Sequence, residues 1–212
     1  MFTLDVRGII PHQPRYKHAA LLMFVALLLG FGLLPESVLQ QLQFPFNGEF
    51  SLRWYSAHFI HLNFKHALMN ASGAVLIWLL VCAFLPCRLL LTLVLVLPFA
   101  ISAGLNLTPQ EFVSYRGFSG AIYGFFAAGI IWHWWQQRFM TLVLALFLMG
   151  KLVMEQMPHF DNGYLLLSIG GLVAVDAHLY GALTGAFLVI VYILLARLGL
   201  FGCRLPWVVK TL

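Results

Sequence analysis

Apolar residues run along this chain in six long blocks, separated by short polar or Pro/Gly-containing breaks, at about 16–34, 57–85, 88–103, 118–135, 139–154 and 164–196. Each block approaches the ~20 apolar residues that a helix needs to cross a bilayer. The period-2 alternation of a membrane β-barrel is absent. Connections such as Pro86-Cys87 and 136–138 are short enough to require antiparallel helical hairpins. The pattern predicts an all-α, polytopic membrane protein: a bundle of six transmembrane helices forming one domain over 1–212, with no repeat, linker or low-complexity tract. The block 19–34 ends at Leu34-Pro35-Glu36 without a small-x-small cleavage site, so it is read as a retained first span rather than a signal peptide.

Composition agrees with the pattern. The chain is 62% hydrophobic and only 9% charged, with a mean hydropathy of +0.92, against roughly 25% charged residues in a soluble domain. The net charge of +5 comes from basic residues scattered singly between apolar runs. This argues against a nucleic-acid partner and for a topogenic role in the lipid bilayer. With the N-terminus inside, the cytoplasmic segments hold Arg7, Arg15, Lys17, Arg88, Arg138, Arg197, Arg204 and Lys210. The outer face receives Arg53, Lys65, Arg116 and Lys151, with Glu36, Glu49, Glu111, Glu155 and Asp161. Eight cations against four set both termini in the cytoplasm. Trp132, Trp134 and Trp135 then fall at the inner interface as an aromatic belt. Cys82, Cys87 and Cys203 fall on the cytoplasmic side, where thiols stay reduced, and have no ligand-spaced partners; no metal or cofactor is expected.

Polar residues inside apolar spans mark function. The second block holds His58, His61, His66 and Asn70; the fourth opens Gly117-Phe118-Ser119-Gly120 and continues to Tyr123; the sixth holds Asp176 and His178. All three blocks descend from outside to inside towards an arginine. Ser119 lies nineteen residues before Arg138, His178 nineteen before Arg197, and Asn70 and His66 eighteen and twenty-two before Arg88. At 1.5 Å per residue these groups share a level about 27 to 33 Å above the arginines, just below the outer boundary. Gly120 with Gly124, and Gly181 with Gly185, form small-xxx-small patterns that allow two membrane helices to approach closely.

A serine needs a base within about 2.6–3.2 Å to become a nucleophile, and His178 is the only later histidine at the depth of Ser119. The N–H of Ser119 at a helix start has no intrahelical partner and can face an oxyanion. His66 and Asn70, four apart on one helix face, can add donors, and Tyr123 can stack on the imidazole. Asp176, two positions from His178, points about 200° away, so a Ser–His dyad is expected. A wet, outward-opening cavity is expected above Ser119, bounded by Asn63, His66, Asn70 and the loop before the fourth block. His58 is expected to hydrogen-bond at the interface, His61 to support the outer loop, and His133 and His159 to sit at membrane edges. A transporter would show paired broken helices and an internal repeat; neither is present. A catalytically inactive client-binding protein would have no chemical need for both Ser119 and His178.

Gly117-Phe118-Ser119-Gly120, Ala177-His178 followed by Gly181, and His61 with His66-x-x-x-Asn70 resemble the motifs of the rhomboid intramembrane proteases, in order and on the corresponding helices. The likeness covers about 53–196, the expected catalytic core. It implies a dyad of Ser119 and His178, oxyanion assistance from His66 and Asn70, membrane-anchored protein substrates, and their lateral entry between the second and fifth spans. The first outer loop has Arg53-Trp54 where the family often has Trp-Arg. Within the family, residues 116–120 and 175–181 are similar to the rhombosortase branch. That similarity implies a Gram-negative inner-membrane enzyme acting on exported proteins with a C-terminal Gly-Gly motif, an apolar helix and a basic tail.

Overall fold

A computed structural model describes residues 15–46, 49–108, 114–158, 160 and 163–200. Arg7, Glu111, His159, Asp161, Cys203, Arg204 and Lys210 lie outside the described residues. The chain is mostly helical. In order it forms α1 (Arg15–Phe31), α2 (Glu36–Leu42), β1 (Phe44–Pro45), α3 (Arg53–Ser56), α4 (Phe64–Ile77), α5 (Cys87–Leu107), β2 (Ser114–Tyr115), α6 (Ser119–His133), α7 (Arg138–Glu155), α8 (Gly163–Ile169) and α9 (Val175–Arg197). A π-helical turn, Trp78–Cys82, continues α4.

Helix α4 with its π turn, α5 and α9 are each long and apolar enough to cross a membrane. The pair α1 and α2, bent by 115°, would add a fourth crossing if taken as one broken span. The expected six are not reached on length and composition alone, for two physical reasons. Helix α6 has 15 residues, about 22 Å of rise, which falls short of the ~30 Å hydrocarbon core. Helix α7 carries Arg138, Lys151 and Glu155 within 18 residues.

Block boundaries shift in three places. The helix of the second block begins only at Phe64, capped by Asn63, whose side chain accepts the His66 N–H at 2.9 Å; His58 and His61 precede it. Helix α5 runs on to Leu107, past Gly104, in what reads as loop in the sequence. The sixth block is two helices, α8 and α9, separated at Gly170, which has φ +79°; that conformation ends a helix and is costly for any residue with a Cβ.

Local polar requirements are met by side chains. Pro98 inside α5 has no N–H for the Val94 carbonyl four residues earlier, and that carbonyl accepts the Tyr55 hydroxyl at 3.4 Å. Lys17 donates to the carbonyls of Ala83 and Leu85 at 3.1 and 2.8 Å, placing a cation at the C-terminal end of the second-block helix. Cys82 and Cys87 are free thiols, one buried and one exposed.

The core lies on α6, which packs most closely against α9. Glycines set that approach: a Cβ at Gly120 would stand 2.7 Å from the Ala177 carbonyl, and one at Gly181 or Gly185 would overlap the carbonyl of Gly120 or Gly124. Outward, the surface is apolar: Leu142, Leu146 and Phe147 on α7 and Leu183 and Phe187 on α9 are all exposed, an arrangement suited to lipid rather than water. Two expected interfacial residues are instead inside. Trp132 is buried against Tyr192, and His133 is buried with its ring nitrogens 3.0 Å from the Val81 carbonyl and from Gln136 Oε1. They lie at the expected end of the helix but on its inward face. Trp134 and Trp135 are more exposed, with Arg138 over the Trp135 ring.

Candidate active site

Ser119 is the first residue of α6, and its position is set by the segment before it. Phe44 and Pro45 pair with Tyr115 and Ser114. Arg116, almost wholly buried, makes a bidentate pair with Glu36 at 2.6 and 3.0 Å and donates through Nε to Gln43 at 2.9 Å. The Gly117 N–H donates to the Ala57 carbonyl, and the Tyr115 hydroxyl donates to the Gly117 carbonyl. Gly117 has φ +136°. A Cβ there would also stand 3.0 Å from the His66 ring and 3.7 Å from the Asn70 amide nitrogen, so glycine is required both by conformation and by space.

His178, in the first turns of α9, is buried and reaches Ser119 from the neighbouring helix: its Nε2 lies 2.9 Å from Ser119 Oγ. The Tyr123 ring stacks on the imidazole with centroids 4.2 Å apart and planes within 3°. The other ring nitrogen, Nδ1, lies 3.0 Å from Glu155 Oε2. Glu155 closes α7 and its side chain is 2% exposed. Its second oxygen accepts from the Tyr123 hydroxyl at 3.1 Å and pairs with Lys151 at 3.0 Å. Asp176 is not the partner of either ring nitrogen. In the sequence Glu155 reads as one of the outer charges; its contact with His178 is a finding of the structure. The signal was present: Glu155 lies seventeen residues above Arg138, about 26 Å of helical rise, close to the level of Ser119.

His66 and Asn70 stand beside Gly117 on α4. Among the described residues the buried Asn70 amide nitrogen has no hydrogen-bond partner. A cavity of about 200 Å³ lies over Ser119, lined by His66, residues 114–116 and the α8–α9 connection at 171–174. Asn63 and Asn70 were expected to bound it. They are not among its lining residues; Asn63 is taken up with capping α4 and with the Ser168 carbonyl at 3.1 Å, and the α8–α9 connection supplies the missing wall.

His58 and His61, the other histidines of the second block, lie buried nearby. His58, expected at an interface, is fully buried. Ser102 donates its only proton to the Trp54 carbonyl at 2.8 Å, so the 3.0 Å contact between His58 Nε2 and Ser102 Oγ must be donated by the histidine. His61 is buried edge-on to His66. Among the described residues no three His, Cys, Asp or Glu side chains converge as a metal site.

A family model for the rhomboid domain matches residues 49–195. The chain belongs to the rhomboid family. No curated protein matches it. Rhomboids are generally serine intramembrane proteases acting on membrane-embedded proteins. The matched region contains α3 to α8 and nearly all of α9, and so His66, Asn70, Ser119, Tyr123, Glu155 and His178.

Proposed function

We propose that this rhomboid is an intramembrane serine endopeptidase in which Ser119 is the nucleophile and His178 the base. The observation that carries this reading is the 2.9 Å contact between Ser119 Oγ and His178 Nε2, made between two helices whose glycines permit it. In acylation, Ser119 Oγ bonds to the scissile carbonyl carbon as its proton passes to His178 Nε2, and the carbonyl π pair moves onto oxygen. The Ser119 N–H, His66 and Asn70 surround that oxyanion; one such donor is worth about 10²–10³ in rate. Collapse breaks the C–N bond, and His178 returns the proton to the departing amine. Water then attacks the acyl ester through the same base, the C–Oγ bond breaks, and a carboxylic acid leaves with Ser119 restored.

On this reading the chain lies in the inner membrane with six crossings forming one domain, both termini cytoplasmic and the catalytic level near the outer face; the eight-to-four bias of basic residues supports the orientation. Likeness at residues 116–120 and 175–181 supports rhombosortase activity, with exported proteins bearing a C-terminal Gly-Gly motif, an apolar helix and a basic tail as substrates. The test is labelling of the purified protein in detergent by a fluorophosphonate, beside Ser119→Ala and His178→Ala. Wild type should label and the variants should lose labelling by 10³-fold or more. An unlabelled wild type that transports a solute or binds membrane clients equally well as Ser119→Ala would overturn the protease reading.

A further inference from the structure

Given the Ser119–His178 reading, on which this step rests, we infer that Glu155 is a positioning residue for the reaction. Its carboxylate fixes the tautomer and orientation of His178, making the site a hydrogen-bonded chain of three residues from α6, α9 and α7 rather than an isolated pair. The argument starts from donor inventory. A carboxylate only accepts, so the 3.0 Å contact between Glu155 Oε2 and His178 Nδ1 places the proton of a neutral imidazole on Nδ1. Nε2 is then left with its lone pair, 2.9 Å from the Ser119 hydroxyl, as a general base requires. Without the carboxylate the two tautomers compete, and the one with the proton on Nε2 cannot deprotonate serine.

The surroundings of Glu155 are built to hold that one oxygen in place. Tyr123 and Lys151 both bind Oε1, at 3.1 and 3.0 Å, leaving Oε2 to His178. The Lys151 ammonium sits one turn before Glu155 on α7 and balances a charge that would otherwise be buried alone at great cost. Tyr123 does two jobs: its ring lies flat on the imidazole while its hydroxyl anchors the carboxylate behind it. When His178 takes the serine proton, the imidazolium faces a fixed anion 3.0 Å away, and the proton on Nδ1 stays where it was.

The deciding experiment measures fluorophosphonate labelling rates of wild type, Glu155→Gln and Glu155→Asp in detergent, split into affinity and maximal rate. Glutamine matches the carboxylate in shape but can offer its NH₂ to Nδ1, favouring the wrong tautomer. The expected result is a loss of about 10²–10⁴ in maximal rate with affinity for the probe unchanged, and partial recovery in Glu155→Asp. In ¹⁵N-labelled wild type, the His178 Nδ1 proton should give a strongly deshielded resonance. A Glu155→Gln protein that labels at the wild-type rate overturns the inference and leaves the Ser119–His178 reading intact, whereas wild type that fails to label removes that reading itself. Should Glu155→Gln not fold, the wild-type resonance decides: a His178 found with its proton on Nε2 and bare Nδ1 overturns the role.

Discussion

Gly181→Ala tests whether the distance between α6 and α9 controls the reactive contact. The added methyl would overlap the carbonyl of Gly120, the residue that follows Ser119. Ordinary Cβ contacts lie beyond 3.4 Å, so the helices must part by on the order of 1 Å to restore van der Waals distance. His178 rides on the same helix three residues before Gly181, and a shift of that size would take the 2.9 Å contact out of hydrogen-bond reach. Overpacking of this kind costs about 1–3 kcal/mol of stability, and a 1 Å misplacement about 10²-fold in rate. Fluorophosphonate labelling and thermal unfolding in detergent read the two effects on one sample. Gly150→Ala is the control: nothing lies within 4 Å of a Cβ there, so labelling should be unchanged and the helix no less stable. If Gly181→Ala labels as fast as wild type, close glycine packing is not what holds the serine against the histidine.

Gly117→Ala should reduce labelling by at least 10-fold while the protein still inserts, because its φ of +136° costs a Cβ-bearing residue about 1–3 kcal/mol and the methyl presses on His66; wild-type labelling would refute this. The Glu36–Arg116 pair should make stability depend on acid pH. The Arg116 hydrogen bond holds the Glu36 carboxyl below its ordinary value of 4.5. A depressed folded-state value means that the pair's contribution is fully present above about 4.5 and disappears as pH falls through the lower folded value. Thermal midpoints of wild type and Glu36→Gln should therefore differ at neutral pH and converge as the pH is taken progressively below 4.5; a constant difference would show that the ion pair is not responsible.

Much of this site could be read from the chain because helix rise is constant. Counting residues from an inner arginine gives depth without knowledge of neighbours, and His66, Asn70, Ser119 and His178 do come together from three helices. The glycine spacing that lets α6 and α9 approach is equally local. Depth, however, is one coordinate, and tertiary packing supplies the other two. Trp132 and His133 lie where the sequence puts them along α6 but face inward, because that helix is apolar on every side and carries no stripe to mark a face. Glu155 was legible as a charge near the outer boundary, yet only the placement of α7 beside α6 and α9 turns it towards His178. The break between α8 and α9, which walls the cavity, likewise hides in an apolar run broken by Ser168 and Gly170-Gly171. Local periodicity follows from backbone geometry along one helix. Which side chains of different helices meet depends on how helices rotate and pack together, and that is settled by shape and by the cost of leaving a buried charge such as Glu155 unpaired.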